Sequence, residues 1–143
     1  MNKILLSLVF VLFTVSGFSC MPEQSNRQDQ KEMTKADTVE VYYFHYTRRC
    51  ITCNSVESNT KAAINEFFAD AVSKGKLSFK SINIDEKSNK NIAKQLKVSG
   101  QTLLFVANNE QVNLTNFAFM NAKSNPEKVK QAVKDTIEDL LIQ

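Results

Sequence analysis

Two of the three cysteines in this 143-residue chain, Cys50 and Cys53, are separated by only two residues. They lie in the segment Thr-Arg-Arg-Cys-Ile-Thr-Cys-Asn, residues 47–54. Thiols at this spacing can form a structural disulfide, bind a metal ion, or be oxidised and reduced reversibly. The elements and charges around the pair distinguish these possibilities.

The pair falls between a predicted strand and a predicted helix. Residues 39–46 are rich in β-branched and aromatic side chains, and residues 52–74 carry apolar side chains at helical spacing. Residues three apart on a helix share a face, so the two sulfurs can meet. A helix N-terminus also carries a partial positive charge that stabilises a thiolate. Because the thiolate attacks disulfides, Cys50 is the predicted nucleophile and Cys53 the more buried resolving thiol.

Charged and titratable residues flank the pair. Arg48 and Arg49 precede Cys50 directly, and we expect both in solvent, where they lower the pKa of the thiol. Glu57 and His45 are candidates for proton transfer. Each has a second interpretation: Glu57 as an acid that favours the helix dipole, and His45 as a strand residue packed beneath the helix.

The structural and metal-binding alternatives are less well supported. A disulfide that closes so short a ring removes little entropy from the unfolded chain. A closed zinc site needs four ligands, and the chain offers only His45 beside the pair once Cys20 has another use. Copper(I) accepts fewer and softer ligands, so a copper-binding module remains an alternative. A third possibility is an interaction domain without catalysis.

Composition excludes several other classes of function. The net charge is +3, with acidic and basic residues interspersed, which is not the clustered basic surface of a nucleic-acid-binding protein. The chain has three glycines and no G-x-G-x-x-G nucleotide loop. Its length is that of one domain.

The N-terminal residues 1–19 have the pattern of a secretory signal peptide. One lysine precedes an apolar run over 4–15, and small residues follow. The run is shorter than the roughly 20 residues that span a bilayer, although an uncleaved anchor helix remains an alternative. We therefore expect an exported protein.

Cys20 follows this pattern directly, as the lipidated cysteine does in bacterial lipoproteins. Gly17 stands where Leu is usual, and ordinary cleavage after Ser19 also fits. Residues 20–37 are polar and cannot bury enough apolar surface to fold, which predicts a flexible tether. We expect a periplasmic or cell-envelope protein attached to the membrane by lipid on Cys20.

The folded domain is expected over residues 38–143. Beyond the first strand and helix, the predicted elements are a strand over 76–85, a helix over 86–96, a hairpin of strands over 102–107 and 111–117, and a final helix beginning at Pro126. The buried stripe of that helix is Val129, Val133, Ile137 and Leu140. The order β-α-β-α-β-β-α predicts an α/β fold with a central mixed sheet flanked by helices.

The C-x-x-C at a strand-to-helix junction, in this element order, resembles the thioredoxin-like superfamily over residues 38–142. The stretch SINIDEKSNKNIAKQLKVSGQTLLFV, residues 81–106, is similar to the second half of many thioredoxins. Within the superfamily, YYFHYTRRCITCNSVE resembles exported ArsF-type proteins, named as nitrophenyl compound nitroreductase subunits. The resemblance implies thiol–disulfide exchange with protein thiols or disulfides, and a partner that recycles the pair. It implies no organic cofactor, and no flavin-binding pattern is visible.

The chain departs from thioredoxins at two positions. Thioredoxins carry a cis-proline before the strand that faces the cysteines, where this chain has Gln101 and Thr102. The resemblance makes these two residues the substrate-facing loop, and the missing proline mildly favours the metal-binding and interaction alternatives. The buried acid that thioredoxins place six residues before the first cysteine is here Phe44, so proton transfer needs another group.

Overall fold

The structure is a computed structural model, and it describes residues 35–142. The predicted signal peptide, the lipidation site at Cys20 and most of the predicted tether lie outside these residues. Within 35–142, no helix is both long enough and apolar enough to cross a membrane.

A four-stranded mixed sheet forms the centre of the domain. Its strands are β1 (Val39–His45), β2 (Leu77–Asn83), β3 (Thr102–Ala107) and β4 (Glu110–Asn113), in the order β2-β1-β3-β4. β1 and β2 are parallel, whereas β3 runs antiparallel to both β1 and β4. The crossover between β1 and β2 contains the first helix, as parallel neighbours require. The predicted α/β fold with a mixed sheet is confirmed.

The helices are α1 (Ile51–Phe67), α2 (Ala69–Ser73), α3 (Lys90–Gln95), α4 (Thr115–Asn121) and α5 (Pro126–Leu140). A 3-10 turn, Lys87–Asn89, leads into α3. The single helix predicted over 52–74 is wrong, because the chain leaves the helical conformation at Phe68, whose φ is −132° and ψ is 22°. The Phe68 side chain is buried in the core at this break.

The strand predicted over 111–117 ends earlier and is followed by α4, which the sequence pattern does not predict. Asn113 Oδ1 accepts hydrogen bonds from the Thr115 N–H at 2.9 Å and from the Thr115 hydroxyl. The Thr115 hydroxyl oxygen in turn accepts the Leu103 N–H at 2.9 Å. Side chains thus replace the strand ladder at this point, and the chain turns into a helix.

Hydrophobic side chains cover both faces of the sheet. The larger cluster joins one face to α1, α4 and α5, and includes Val41, Tyr43, Val56, Ile64, Leu103, Phe105 and Ala118. The predicted stripe of α5 is buried in the same cluster. The smaller cluster packs the other face against α3, with Tyr42, Phe44, Ala93 and Leu104. Neighbouring residues of β1 alternate between the two clusters, as the strand pleat requires.

Ala36 belongs to this packed domain, although the sequence predicts a tether that extends to residue 37. Its N–H donates to the Leu140 carbonyl at 2.7 Å, and its carbonyl accepts the Ile142 N–H at 2.9 Å. The residue is 1% exposed. The predicted boundary at Thr38 is therefore two residues too late, because a single alanine in a polar segment has no periodic signal.

A charge at position 36 tests this boundary. We expect Ala36→Glu to lower the free energy of unfolding by at least about 2 kcal/mol, because the carboxylate would be buried without a partner. Lys35→Glu is the matched control. Lys35 is exposed, so its substitution should change stability by no more than about 0.5 kcal/mol. Urea unfolding measures both, and equal stabilities would show that residue 36 is not packed.

Candidate active site

The cysteine pair forms the N-terminal cap of α1. Cys50 is the N-cap residue, with φ −84° and ψ 166°, and its sulfur accepts the Cys53 N–H at 3.1 Å. The Cys53 sulfur accepts the Cys50 N–H at 3.2 Å. This reciprocal pattern is a capping box in which sulfur replaces oxygen. A disulfide joins the residues, whose Cα atoms are 5.1 Å apart.

The two cysteines differ in their access to solvent. Cys50 is exposed, whereas Cys53 is 2% exposed. Ile51, between them, is 73% exposed and leaves the approach to Cys50 open. An incoming thiol or disulfide therefore reaches Cys50 first.

Arg49 is not in solvent, which corrects the expectation that both arginines are exposed. Its guanidinium forms an ion pair with Glu57 and lies over the Tyr43 ring, 5.4 Å from the centroid. It also approaches the Cys53 carbonyl at 3.5 Å. Because Glu57 balances the charge of Arg49, the positive potential at Cys50 comes mainly from the helix N-terminus and the exposed Arg48.

Glu57 anchors this group of charges. It pairs with Lys61 at 2.7 Å as well as with Arg49, and its side chain is 12% exposed. Burial raises the pKa of Glu57, but the hydrogen bonds and charges of Lys61 and Arg49 outweigh burial and lower the pKa overall. A carboxylate with a lowered pKa is a weak proton acceptor, so the geometry favours an ion-pair role for Glu57 over the predicted proton transfer.

His45 lies at the end of β1 and is half-buried. Its Nδ1 is 2.9 Å from the Tyr46 carbonyl oxygen, and its ring stacks on Tyr43 with centroids 6.0 Å apart. Over residues 35–142, no group of three or more His, Cys, Asp or Glu side chains is placed to hold a metal ion. The ligand set proposed for copper, Cys50 and Cys53 with His45, is therefore not assembled.

Gln101 and Thr102, the predicted substrate-facing residues, have different environments. The Gln101 carboxamide contacts the Cys53 sulfur, with Nε2 at 3.4 Å and Oε1 at 3.5 Å. Thr102 is 8% exposed, and its hydroxyl donates to the Gly100 carbonyl at 3.1 Å. Only Gln101 thus contacts the cysteine pair, and every described peptide bond is trans.

No family model matches the chain, and no curated protein matches it. Among solved structures, Trxlp from Edwardsiella tarda EIB202 is 16% identical, with a TM-score of 0.47, and the match covers 68% of this chain and 82% of that one. Thioredoxin Mala s 13 from Malassezia sympodialis is 22% identical, with a TM-score of 0.45 and coverage of 73% and 80%. Fasciola hepatica thioredoxin is 16% identical, with a TM-score of 0.44 and coverage of 70% and 82%.

The mixed sheet, the helices on both of its faces and the cysteine pair between β1 and α1 are those that the resemblance implies. The fold is thioredoxin-like. The position of the usual buried acid is filled by Phe44, which is 0% exposed and packs with Tyr42, Ala93 and Leu104. This thioredoxin-like domain has no carboxylate at that position.

The sequence pattern missed the residues that hold the loop before Cys50. The Thr47 N–H donates to Asp85 at 2.8 Å, and Asn83 donates to the Thr47 hydroxyl at 2.9 Å. Hydrogen bonds from the backbone and side chain of Thr47 lower the pKa of Asp85. The sequence offers only the Asn-Ile-Asp of residues 83–85, which starts at the last residue of β2. Tyr43 also donates its hydroxyl to the Cys53 carbonyl at 2.9 Å.

Glu57→Gln tests the buried ion pair. We expect a loss of about 1–3 kcal/mol at pH 7, because Arg49 loses its counter-charge. The folded pKa of Glu57 lies below the ordinary 4.5, so its stabilisation is complete above that value and disappears as the pH falls through the folded pKa. The difference between parent and variant should therefore shrink in acid.

Glu138→Gln is the control for this prediction. Glu138 pairs with Lys134 at 3.5 Å near the surface, and its loss should cost about 0.5 kcal/mol or less. Urea unfolding between pH 7 and pH 3 measures all three proteins. A constant difference between the parent and Glu57→Gln across this range would contradict an ion-pair role.

Proposed function

We propose that the chain is a thiol–disulfide oxidoreductase whose redox centre is the Cys50–Cys53 pair. The observation that carries the proposal is the asymmetric cap of α1. The exposed residue Cys50 lies at a helix N-terminus, where its sulfur accepts an N–H, and the buried Cys53 lies behind it within bonding distance. This arrangement gives one cysteine access to a partner and keeps the other available for resolution.

In the reducing direction, the Cys50 thiolate attacks a disulfide of a protein substrate. A mixed disulfide forms, and the first substrate sulfur leaves as a thiolate. The Cys53 thiolate then attacks the Cys50 sulfur, which releases the second substrate thiolate and forms the Cys50–Cys53 disulfide. In the oxidising direction, a substrate thiolate attacks the Cys50 sulfur and Cys53 leaves as a thiolate. A second substrate thiolate then attacks the substrate sulfur of the mixed disulfide, and Cys50 leaves as a thiolate. A second redox partner restores the starting state in either case.

The proposal includes export and membrane attachment. The signal-like residues 1–19 and the position of Cys20 support a lipid-anchored protein of the periplasm or cell envelope. The resemblance of residues 42–57 to exported ArsF-type proteins agrees with this location. Disulfides also form and persist in such oxidising compartments.

The order of attack can be tested by trapping, with Cys20→Ser in every protein so that only the pair reacts. Cys53→Ser should accumulate a mixed disulfide with an added protein disulfide, because no thiol remains to resolve it. Cys50→Ser should accumulate little, because Cys53 is buried. Non-reducing gels and mass spectrometry measure the adducts. Equal trapping by both variants would contradict Cys50 as the nucleophile.

Membrane attachment can be tested separately. We expect the mature protein extracted from membranes to begin at Cys20 and to carry acyl chains, which intact-mass analysis detects. Cys20→Ser should move the protein into the soluble fraction. An unmodified Cys20, or a mature terminus at another residue, would contradict the lipid anchor and leave the redox proposal unaffected.

A further inference from the structure

The Gln101 side chain contacts the buried sulfur of the redox pair with both ends of its carboxamide. Nε2 is 3.4 Å and Oε1 is 3.5 Å from the Cys53 sulfur, and Gln101 itself is half-buried. Among the described residues, the other hydrogen-bond partner of this sulfur is the Cys50 N–H, which can only donate. Within the described chain, Gln101 is therefore the side chain that offers this sulfur both a donor and an acceptor.

The Cys53 sulfur needs different partners in its different states. A disulfide sulfur is a weak acceptor, a thiol also has a proton to donate, and a thiolate is a strong acceptor. A carboxamide can serve all three, because its nitrogen donates and its oxygen accepts. Proline, which thioredoxins have before this strand, offers no side-chain polar group.

We propose that Gln101 is a catalytic residue of the exchange reaction, acting on Cys53 through its carboxamide. Oε1 accepts the S–H of Cys53 in the reduced protein, and Nε2–H stabilises the negative charge on Cys53 during exchange. The inference rests on the oxidoreductase function proposed above. It assigns Gln101 to the second chemical step, in which Cys53 attacks or leaves.

The electron and proton balance of that step shows where the carboxamide acts. After Cys50 attacks, the first substrate thiolate takes the proton from Cys53. The resulting Cys53 thiolate attacks the Cys50 sulfur, the bond from Cys50 to the substrate breaks, and the second substrate sulfur leaves with the electron pair. In the reverse step, Cys53 is the leaving thiolate. The Cys53 sulfur therefore carries negative charge before it attacks in one direction and as it leaves in the other, and a donor already in place stabilises that charge.

The burial of Cys53 and the lack of a nearby free carboxylate among the described residues make the contact with Gln101 important for the Cys53 sulfur. The residue is 2% exposed, so water cannot replace a missing donor, and hydrogen bonds are stronger in such an environment. The carboxylate of Glu57 is held by Arg49 and Lys61, and the position of the usual buried acid is the apolar Phe44. A neutral amide thus contacts the buried cysteine of the pair in this domain, whereas thioredoxins use a buried carboxylate.

The test compares Gln101→Met and Gln101→Glu, with Cys20→Ser in every protein. Methionine keeps the length of the side chain and removes the amide, whereas glutamate keeps the shape and replaces the donor with a negative charge. Gln111→Met is the control, because it makes the same change at an exposed position of β4.

The alkylation rate of Cys50→Ser against pH measures the pKa of the Cys53 thiol. Rapid-mixing kinetics measure the two exchange steps separately.

We expect Gln101→Met to raise the Cys53 pKa by about half a unit to one unit and to slow the second step about fivefold, equivalent to one hydrogen bond. Gln101→Glu should raise the pKa further by repulsion. Attack by Cys50, measured in Cys53→Ser, should stay within about twofold of the parent rate, because the amide does not act in that step. Gln111→Met should match the parent.

The inference is overturned if both Gln101 variants keep the parent pKa and second-step rate, or if both steps slow equally. The isosteric Gln101→Glu decides the outcome if Gln101→Met does not fold. The pKa measurement needs no substrate. It therefore still tests Gln101 if the parent exchanges with no disulfide, a result that would overturn the proposed function instead.

Discussion

The hydrogen bond from the Cys53 N–H to the Cys50 sulfur is the interaction on which the rest of the site depends. Helices usually begin with an oxygen of Ser, Thr, Asp or Asn in this role. Here the sulfur that starts α1 is also the sulfur proposed to react. A thiolate is a stronger acceptor than a disulfide sulfur, so reduction of the pair strengthens the cap. The stability of the helix and the redox state of the pair are therefore coupled through one bond.

Other contacts hold the chain in place on both sides of that cap. Tyr43 and Arg49 reach the Cys53 carbonyl from the sheet and from the loop, and Glu57 fixes Arg49 from one turn further along the helix. Asp85 holds Thr47 at the start of the loop. The charges of Arg49, Glu57 and Asp85 mainly position the backbone, whereas the helix N-terminus and the exposed Arg48 supply the positive potential at the Cys50 sulfur.

The sequence predicts the parts of the fold that have a strong local signal. The third strand, the start of α5 at Pro126 and its buried stripe follow from apolar patterning and the first-turn proline. The pattern fails where side chains override the backbone preference, as Asn113 and Thr115 do before α4. It also fails for contacts between distant elements. The pairing of Arg49 with Glu57, and the contact of Gln101 with Cys53 across 48 residues, require the packed sheet and helix.

The bridge between Ala36 and Leu141 places the entry and exit of the chain side by side. Ala36 precedes β1 and Cys50 follows it, and seven strand residues span roughly 20 Å. The Cys50 sulfur and Ala36 therefore lie at opposite ends of the domain. A partner that exchanges with Cys50 therefore approaches the end of the domain away from Ala36.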